Sequence, residues 1–234
     1  SVGEKIRLSV RYMGIPCGEL VLSVADLTTY RGRPVYVVHA HAFTNRAFSL
    51  FYEISDTLTS YVDAEGLFSW KYIKEIHETK DDTRVVYEYD HEQGVWTADG
   101  RHKGEILPFT QDLLSSIYYL RGTEWRDADD TIYAPLNDTK RNYQMHFGLE
   151  RSRNKRMNVL GEWVSARSGR PVVELDGRYK MIGTNEVWFT DDHRRIPILV
   201  KSNIRLGNLY AKIVDYRPGR AAVASNKPDS GGER

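Results

Sequence analysis

Hydrophobic and polar residues alternate along much of the chain, a pattern that predicts β-strands. The clearest example is residues 5–13, in which Ile6, Leu8, Val10 and Tyr12 occupy every second position. Period two places these apolar side chains on one face of a strand and the charged residues between them on the other. Two further runs of this kind follow after Gly and Pro turns, so the start of the chain predicts an antiparallel meander.

The same criteria predict strands through most of the remaining sequence. The segments after the first are residues 19–27, 35–43, 58–62, 68–78, 84–90, 95–98, 131–134, 141–151, 156–167, 172–175, 186–190, 196–205 and 209–216. Residues 206–208 read Leu-Gly-Asn and predict a hairpin between the last two strands. Residues 46–54 combine helical spacing of aromatic residues with a composition that suits a strand, so both interpretations stay open there.

A helix is predicted over about residues 110–121. Thr110 is the candidate N-cap, Asp112 supplies an acid in the first turn, and Gly122 can end the helix. The long side chains that fall on one side of this helix are Leu113, Leu114, Ile117, Tyr118 and Arg121. We expect the helix to plug the sheet or to cover it as a lid.

Together these elements predict a mainly β fold. About a dozen strands with one central helix indicate a large antiparallel, strongly curved sheet that forms a closed or half-closed barrel, because closure removes exposed strand edges. Residues 1–217 are predicted to form a single β-rich domain. Residues 218–234 are rich in Gly, Ala and Ser without periodic apolar positions, which predicts a disordered tail.

Composition and charge narrow the functional classes. The 234 residues include 33 basic and 32 acidic side chains, a formal net charge of +1. The chain therefore lacks the one-signed field of a nucleic-acid binder, and no nucleic-acid partner is predicted. No apolar run approaches the roughly 18 residues of a membrane-spanning helix, so no transmembrane segment is predicted in this chain. The single cysteine, Cys17, excludes a disulfide within the chain.

Two histidines on one predicted strand are candidate metal ligands. His39 and His41 stand two residues apart, which puts both imidazoles on the same face of a strand. A metal site needs a third ligand, and no spacing selects one among the other histidines. Because the two imidazoles share a strand face, a metal-assisted hydrolase that uses His39 and His41 is an alternative function. The sequence contains no nucleotide-binding, Ca²⁺-binding or nucleophile-elbow motif, so no cofactor is predicted.

A polar turn follows an aromatic strand near the end of the chain. Trp188 lies in that strand, and Asp191, Asp192, His193 and Arg195 come after it. At the mouth of a barrel such a turn can orient a ligand, with Arg195 as a bidentate donor. The same residues form the rim of the alternative hydrolase. As a self-compensating surface turn they would carry no chemistry.

Three segments resemble the uncharacterised bacterial exported-protein family known as domain of unknown function 3108. They are residues 3–12 with Gly18 and Glu19, the run QDLLSSIYYLR at 111–121, and VWFTDD at 187–192 with RIPI at 195–198. Their order and spacing fit this family over nearly the whole of residues 3–216. Pro16 and Cys17 depart from the small residues expected in the first turn, which concerns that turn and not the fold.

The resemblance implies an exported protein that is periplasmic or associated with the outer membrane, with its signal peptide removed. It brings no established catalytic residues. Among the residues of the middle motif, it implies that Asp112, Ser115, Tyr119 and Arg121 lock the helix against the sheet.

The leading hypothesis is a non-enzymatic cell-envelope protein that binds an apolar or amphipathic ligand, a lipid or a glycan, or an envelope protein partner. The predicted ligand-binding residues are Trp188, Asp191 and Arg195 at the rim, with Tyr119 and Arg121 from the helix. Besides the hydrolase, a structural interaction module without a cavity is the remaining alternative.

Overall fold

The computed structural model of the chain describes residues 1–126, 130–150, 155–175, 178–180, 184–204 and 207–220. One helix, α1 (Leu113–Gly122), divides the strands into two groups. Before it lie β1 (Lys5–Tyr12), β2 (Ile15–Tyr30), β3 (Arg33–Thr44), β4 (Ser55–Asp63), β5 (Ser69–Glu78), β6 (Asp81–Asp90), β7 (Val95–Ala98) and β8 (His102–Glu105). After it lie β9 (Thr131–Asp138), β10 (Arg141–Leu149), β11 (Lys155–Val159), β12 (Glu162–Leu175), β13 (Arg178–Lys180), β14 (Thr184–Thr190), β15 (Pro197–Ile204) and β16 (Gly207–Arg217).

All of these strands belong to one antiparallel sheet. Its order is β8-β7-β6-β5-β4-β3-β2-β1-β16-β15-β14-β12-β10-β9, and β11 and β13 pair with β12 beside this path. The mainly β fold with a large antiparallel sheet and one helix is thus confirmed. Within the described residues, no ladder joins the terminal strands β8 and β9, so backbone hydrogen bonds do not close the sheet.

Side chains bring the two ends of the sheet together. The Asn142 amide on β10 donates to the Glu105 carbonyl on β8 at 2.5 Å, and the Lys74 ammonium lies 2.9 Å from the Asp138 carboxylate on β9. The chain before α1 also spans this gap, because the Ser69 amide donates to the Thr110 carbonyl and Gln111 forms a parallel bridge with Leu136. The sheet therefore curves back on itself around the helix.

The helix lies between two hydrophobic clusters of the curved sheet. Its Leu114 packs with the larger cluster, to which inward-facing residues of most strands contribute, such as Ile6 and Leu22. Leu120 belongs to a second cluster with Phe147 and other residues of the strands that follow the helix. The helix end fits closely, since a Cβ on Gly122 would lie 2.1 Å from the Leu67 side chain.

Antiparallel pairing places the turns alternately at the two ends of the sheet. The turns at residues 31–32, 64–68 and 191–196 lie at one end, together with the start of β1 and the end of β16. We call this end the mouth. The turns at residues 13–14 and 45–54 lie at the opposite end.

Several predicted boundaries are wrong in detail. The N-cap is Asp112 and not Thr110, whose backbone already bonds to β5. Residues 46–54 form neither a helix nor a regular strand: residues 46–51 are consecutive turns that begin at Asn45, and Ile54 forms an isolated bridge with Glu78. The strand predicted over 156–167 is two strands, because Leu160 and Gly161 have positive φ angles and reverse the chain. The short strand β8 was not predicted.

The end of the chain is described as far as Arg220. Of the predicted disordered tail, residues 221–234 lie outside the described residues. Its first three residues continue from β16 without regular structure, and the Arg220 amide donates to the Val2 carbonyl at 2.8 Å. This contact brings residues 218–220 to the mouth, beside the start of β1.

Asp112 is the buried anchor of α1. One carboxylate oxygen accepts hydrogen bonds from the Leu114 and Ser115 amides, each at 2.7 Å, which caps the helix. The other oxygen accepts from the hydroxyls of Ser60 on β4 and Ser69 on β5, each at 2.5 Å. The carboxyl group thus ties the start of the helix to two strands. The implied role of Asp112 in locking the helix agrees with this geometry.

Ser115 completes the cap. The Asp112 amide donates to the Ser115 hydroxyl oxygen at 2.9 Å, and that hydroxyl donates to the Gln111 side-chain carbonyl at 2.8 Å. Burial raises the pKa of Asp112 to about 6, although the hydrogen bonds from Ser60, Ser69 and the helix amides oppose that rise.

Two substitutions at Asp112 distinguish the contribution of its hydrogen bonds from that of its charge. We expect D112A to lower the free energy of unfolding by about 3 kcal/mol, because it removes the cap and leaves two buried hydroxyls without their acceptor. In D112N the amide oxygen can still accept from the helix amides and its NH₂ can donate to the serine hydroxyls. We expect D112N to stay within about 1 kcal/mol of the wild type at neutral pH, as measured by urea unfolding.

The pH dependence provides the control for this comparison. Since the folded-state pKa of about 6 lies above the ordinary value of 3.8, the folded state binds the proton more tightly. The stability contributed by Asp112 is therefore complete below pH 3.8 and is lost as the pH rises through about 6. The free energy of unfolding of the wild type minus that of D112N should therefore decrease as the pH rises through this window. A difference that stays constant with pH would contradict a buried carboxyl group that titrates.

Candidate functional site

An open cleft of about 420 Å³ lies at the mouth. We call it the mouth cleft. One wall is apolar and comes from β2, β3, β4 and the following turn: Val24, Tyr36, Val38, Val62 and Leu67. The other wall is polar and comes from the start of the chain, α1, the 191–196 turn and β16: Glu4, Tyr118, Arg121, His193, Arg194 and Tyr216.

The apolar wall follows from strand alternation. Val24 and Val38 are directly paired across β2 and β3, and both face the interior with less than 5% of their surface exposed. Val62 on β4 is equally buried. These side chains belong to the larger hydrophobic cluster, so the cleft is a continuation of the core that the helix does not fill.

Arg121 organises the polar wall. Its Nη2 donates to Glu4 Oε2 at 3.0 Å, and its Nη1 lies 2.7 Å from Oε1 of the same carboxylate. Both side chains are only 10% exposed. The Arg121 Nε donates to the carbonyls of Arg194 and Arg195, and Arg195 Nη1 returns a hydrogen bond to the Arg121 carbonyl at 2.9 Å. The end of α1 is therefore tied to the residue before β1 and to the 191–196 turn.

Asp192 shapes the turn that carries Arg194. Its Oδ1 accepts from the Arg194 amide at 3.0 Å and from the Thr190 hydroxyl at 2.9 Å, and its Oδ2 accepts from the Arg194 guanidinium at 2.6 Å. Partial burial alone would raise the pKa of Asp192, but the hydrogen bonds from Arg194 and Thr190 outweigh it and lower the pKa. The carboxylate therefore stays charged and holds Arg194 in the cleft wall.

Tyr118 supplies an unused polar group in this wall. Its hydroxyl oxygen is buried and has no hydrogen-bond partner within the described structure. Burial raises the pKa of the phenol, so the hydroxyl keeps its proton. The Arg121 guanidinium lies 5.4 Å from the centre of the Tyr118 ring. A buried donor without an acceptor is costly, and an acceptor oxygen of a ligand in the cleft would satisfy it.

Of the five predicted ligand-binding residues, Arg121 lines the mouth cleft. Arg195 is adjacent to it, but its guanidinium lies over the Trp125 ring at 5.3 Å and bonds to the helix end. The structure thus brings Arg121 and Arg195 together. Ligand binding by either residue stays a prediction.

The other three predicted residues lie elsewhere. Trp188 is 3% exposed in the larger hydrophobic cluster, where the ammonium groups of Lys155 and Lys201 lie within 6 Å of its ring. Asp191 forms an ion pair with Arg167 at 3.3 Å. Tyr119 packs against the second cluster. None of the three is among the residues that line the cleft.

The histidines of the hydrolase alternative lie on the face of β3 opposite Val38 and Ala40. His39 Nδ1 bonds to the Thr59 hydroxyl at 2.8 Å, and His41 Nε2 bonds to the Ser55 hydroxyl at 3.3 Å. Burial lowers the pKa of His39. In the part of the chain that the structure describes, no three His, Cys, Asp or Glu side chains are grouped so that they could hold a metal ion.

The sequence analysis predicted Arg121 and the polar turn with His193 at this wall, but it did not predict Glu4, Tyr118 or Tyr216 there. Glu4, Arg194 and Tyr216 are far apart in sequence and meet only after folding. The position of Tyr118 could have been predicted from the sequence, because it precedes Arg121 by three residues and therefore lies on the same helix face.

The Glu4–Arg121 pair predicts strong coupling. R121M would leave the Glu4 carboxylate buried without its partner, so we expect the free energy of unfolding to fall by about 3–5 kcal/mol. Adding E4Q to R121M removes that unpaired charge, and the double variant should be more stable than R121M alone. Urea unfolding of both single variants and the double variant measures the coupling. Strictly additive effects would show that the pair is not coupled.

Comparisons with known proteins agree with the fold. Among the described residues, no helix has the length and apolar character needed to cross a membrane. No curated protein matches the chain. The crystal structure of a β-barrel-like protein of domain of unknown function DUF1849 from Brucella abortus is similar, with a TM-score of 0.60. That match covers 92% of this chain and 97% of the other at 12% sequence identity, so it shows a shared fold alone.

The sequence carries a more specific match. The family model described as "Protein of unknown function (DUF3108)" matches residues 7–214. This range holds the helix, its Asp112 cap, Arg121 and the 191–196 turn, and it confirms the resemblance drawn from the three motifs. The chain belongs to the DUF3108 family of proteins of unknown function.

Proposed function

We propose that this chain is a non-enzymatic cell-envelope protein whose half-closed barrel binds an apolar or amphipathic ligand, a lipid or a glycan, in the mouth cleft. The proposed location is the periplasm, or an association with the outer membrane, as the family resemblance suggests. The observation that carries the proposal is the cleft itself, in which an apolar wall continuous with the core faces a wall of polar groups.

The chemistry of the two walls supports an amphipathic ligand. Tyr36 and Leu67 are half-buried in the apolar wall and offer surface that a ligand would remove from water, above the buried Val24, Val38 and Val62. Opposite them, the Tyr118 hydroxyl is a donor that has no acceptor among the described residues, and the Arg194 guanidinium, which pairs with Asp192, is partly open to solvent. A ligand with an apolar body and an oxygen-bearing head would match both walls at once.

A second candidate function, an interaction with an envelope protein, has one observation in its favour. At the end opposite the mouth, four large apolar side chains are exposed on neighbouring turns: Met13 at 66%, Ile15 at 62%, Leu50 at 83% and Phe51 at 85%. Exposed apolar side chains grouped in this way are typical of interaction surfaces. This candidate does not use the cleft, so the two functions can be tested separately.

The hydrolase alternative receives less support from the geometry. Asp191 pairs with Arg167, and Asp192 and Arg195 hold the turn and the helix end. His39 and His41 bond to hydroxyl groups away from the cleft. Of these candidate catalytic groups, His193 lines the mouth cleft and the other five do not, so they are not gathered around one space.

Filling the cleft tests the proposed function. We expect the fluorescent amphiphile 1-anilinonaphthalene-8-sulfonate to bind the wild-type chain saturably, and V38F to weaken this binding at least tenfold, because the larger side chain would occupy the cleft. The matched control is V37F, which makes the same substitution on the opposite face of β3. We expect V37F to bind the dye as the wild type does.

Thermal unfolding of both variants shows whether each is folded. If folded V38F binds the dye as tightly as V37F, or if the wild type shows no saturable binding, the mouth cleft is not the binding site and the proposal fails.

A further inference from the structure

A second cavity of about 250 Å³ lies next to the mouth cleft. Five of its lining residues are aliphatic: Val159, Leu160, Val164, Ile196 and Ile213. They come from the end of β11 and the turn after it, from β12, from the end of the 191–196 turn and from β16. We call this cavity the side chamber.

The mouth cleft and the side chamber share two lining residues, Arg194 and Tyr216. The Arg194 guanidinium lies over the Tyr216 ring, 6.0 Å from its centre. This stacked pair is therefore the boundary between the two spaces. The Arg194 side chain is 46% exposed, and its ion pair with Asp192 holds it at this boundary.

The polar groups of the side chamber are already engaged or face solvent. The Thr190 hydroxyl donates to Asp192 and accepts from the Ile196 amide at 2.9 Å. Glu162 is exposed at the start of β12. The chamber therefore offers a ligand an aliphatic surface without a free buried donor, in contrast to the mouth cleft with its unpartnered Tyr118 hydroxyl.

We propose that the two spaces form one site for an amphiphile with a single acyl chain and an anionic head. The head would lie in the mouth cleft, where the Tyr118 hydroxyl donates to it and the Arg194 guanidinium, which also pairs with Asp192, lies beside it. The acyl chain of the ligand would pass the Arg194–Tyr216 pair and end among the aliphatic side chains of the side chamber. This inference rests on the proposed function and adds the class of ligand and the direction in which it lies.

The division of the site makes chain length the discriminating variable. A short chain would fill only the mouth cleft, whereas a long chain would also bury surface in the side chamber. Apolar contact adds to binding for each methylene that leaves water. The affinity of the protein should therefore rise from octanoate to laurate to palmitate. This rise should be lost when a larger side chain fills the side chamber.

The test uses displacement of 1-anilinonaphthalene-8-sulfonate from the full chain by these three fatty acids. V164F places a larger side chain in the side chamber and leaves the mouth cleft unchanged. We expect V164F to weaken palmitate at least tenfold and to leave octanoate within twofold of the wild type. The matched control is V214F, because Val214 is exposed on β16 next to Ile213, which lines the chamber. V214F should keep the wild-type preference for palmitate.

Each outcome decides between the claims. If V164F weakens octanoate and palmitate equally, or neither, the side chamber does not hold the chain and the inference is overturned. If the dye binds in the V38F-sensitive cleft but no fatty acid displaces it, the ligand class is wrong while the proposed function stands. If the dye itself does not bind in that cleft, both fail.

Discussion

The structure depends on one buried carboxylate. Asp112 has four hydrogen-bond donors around it, two from the start of α1 and one each from Ser60 and Ser69. A buried charge is tolerated only when its acceptor positions are filled, so the helix, β4 and β5 must meet at this point. At the other end of α1, Arg121 binds Glu4 and the backbone of the 191–196 turn. With both ends fixed, the helix can present Tyr118 to only one space.

That space exists because the helix fills the interior of the curved sheet incompletely. Sheets of this kind usually fill their interior with side chains or enclose a ligand. Here Leu114 and Leu120 fill the region around the helix, and α1 ends at Gly122 against Leu67. Beyond that point the inward valines of β2, β3 and β4 line the mouth cleft. The mouth cleft is thus a consequence of the length of α1, and the buried Glu4–Arg121 pair keeps its polar wall in place.

The strands were predictable where one face is buried and the other is exposed to solvent, as in residues 6–12. Apolar and polar residues then alternate along the sequence. Residues 102–105 read His-Lys-Gly-Glu and show no such alternation, so this strand was not predicted. The N-cap was misplaced because Thr110 and Asp112 are both good capping residues, and only the long-range bonds to Ser60 and Ser69 distinguish them. The site was harder, since Glu4, Arg194 and Tyr216 are joined by folding and not by spacing. Trp188 looked available in the sequence, yet the pairing of β14 turns it into the core.

Native mass spectrometry of the full chain, purified from the cells that produce it naturally, is the most direct test of ligand binding. The mass of the native protein is compared with that of the same preparation after denaturation. Binding in the mouth cleft predicts an added mass of one small molecule for each chain, which denaturation releases and which can then be identified. Equal native and denatured masses in repeated preparations would contradict a bound ligand and favour the interaction module instead.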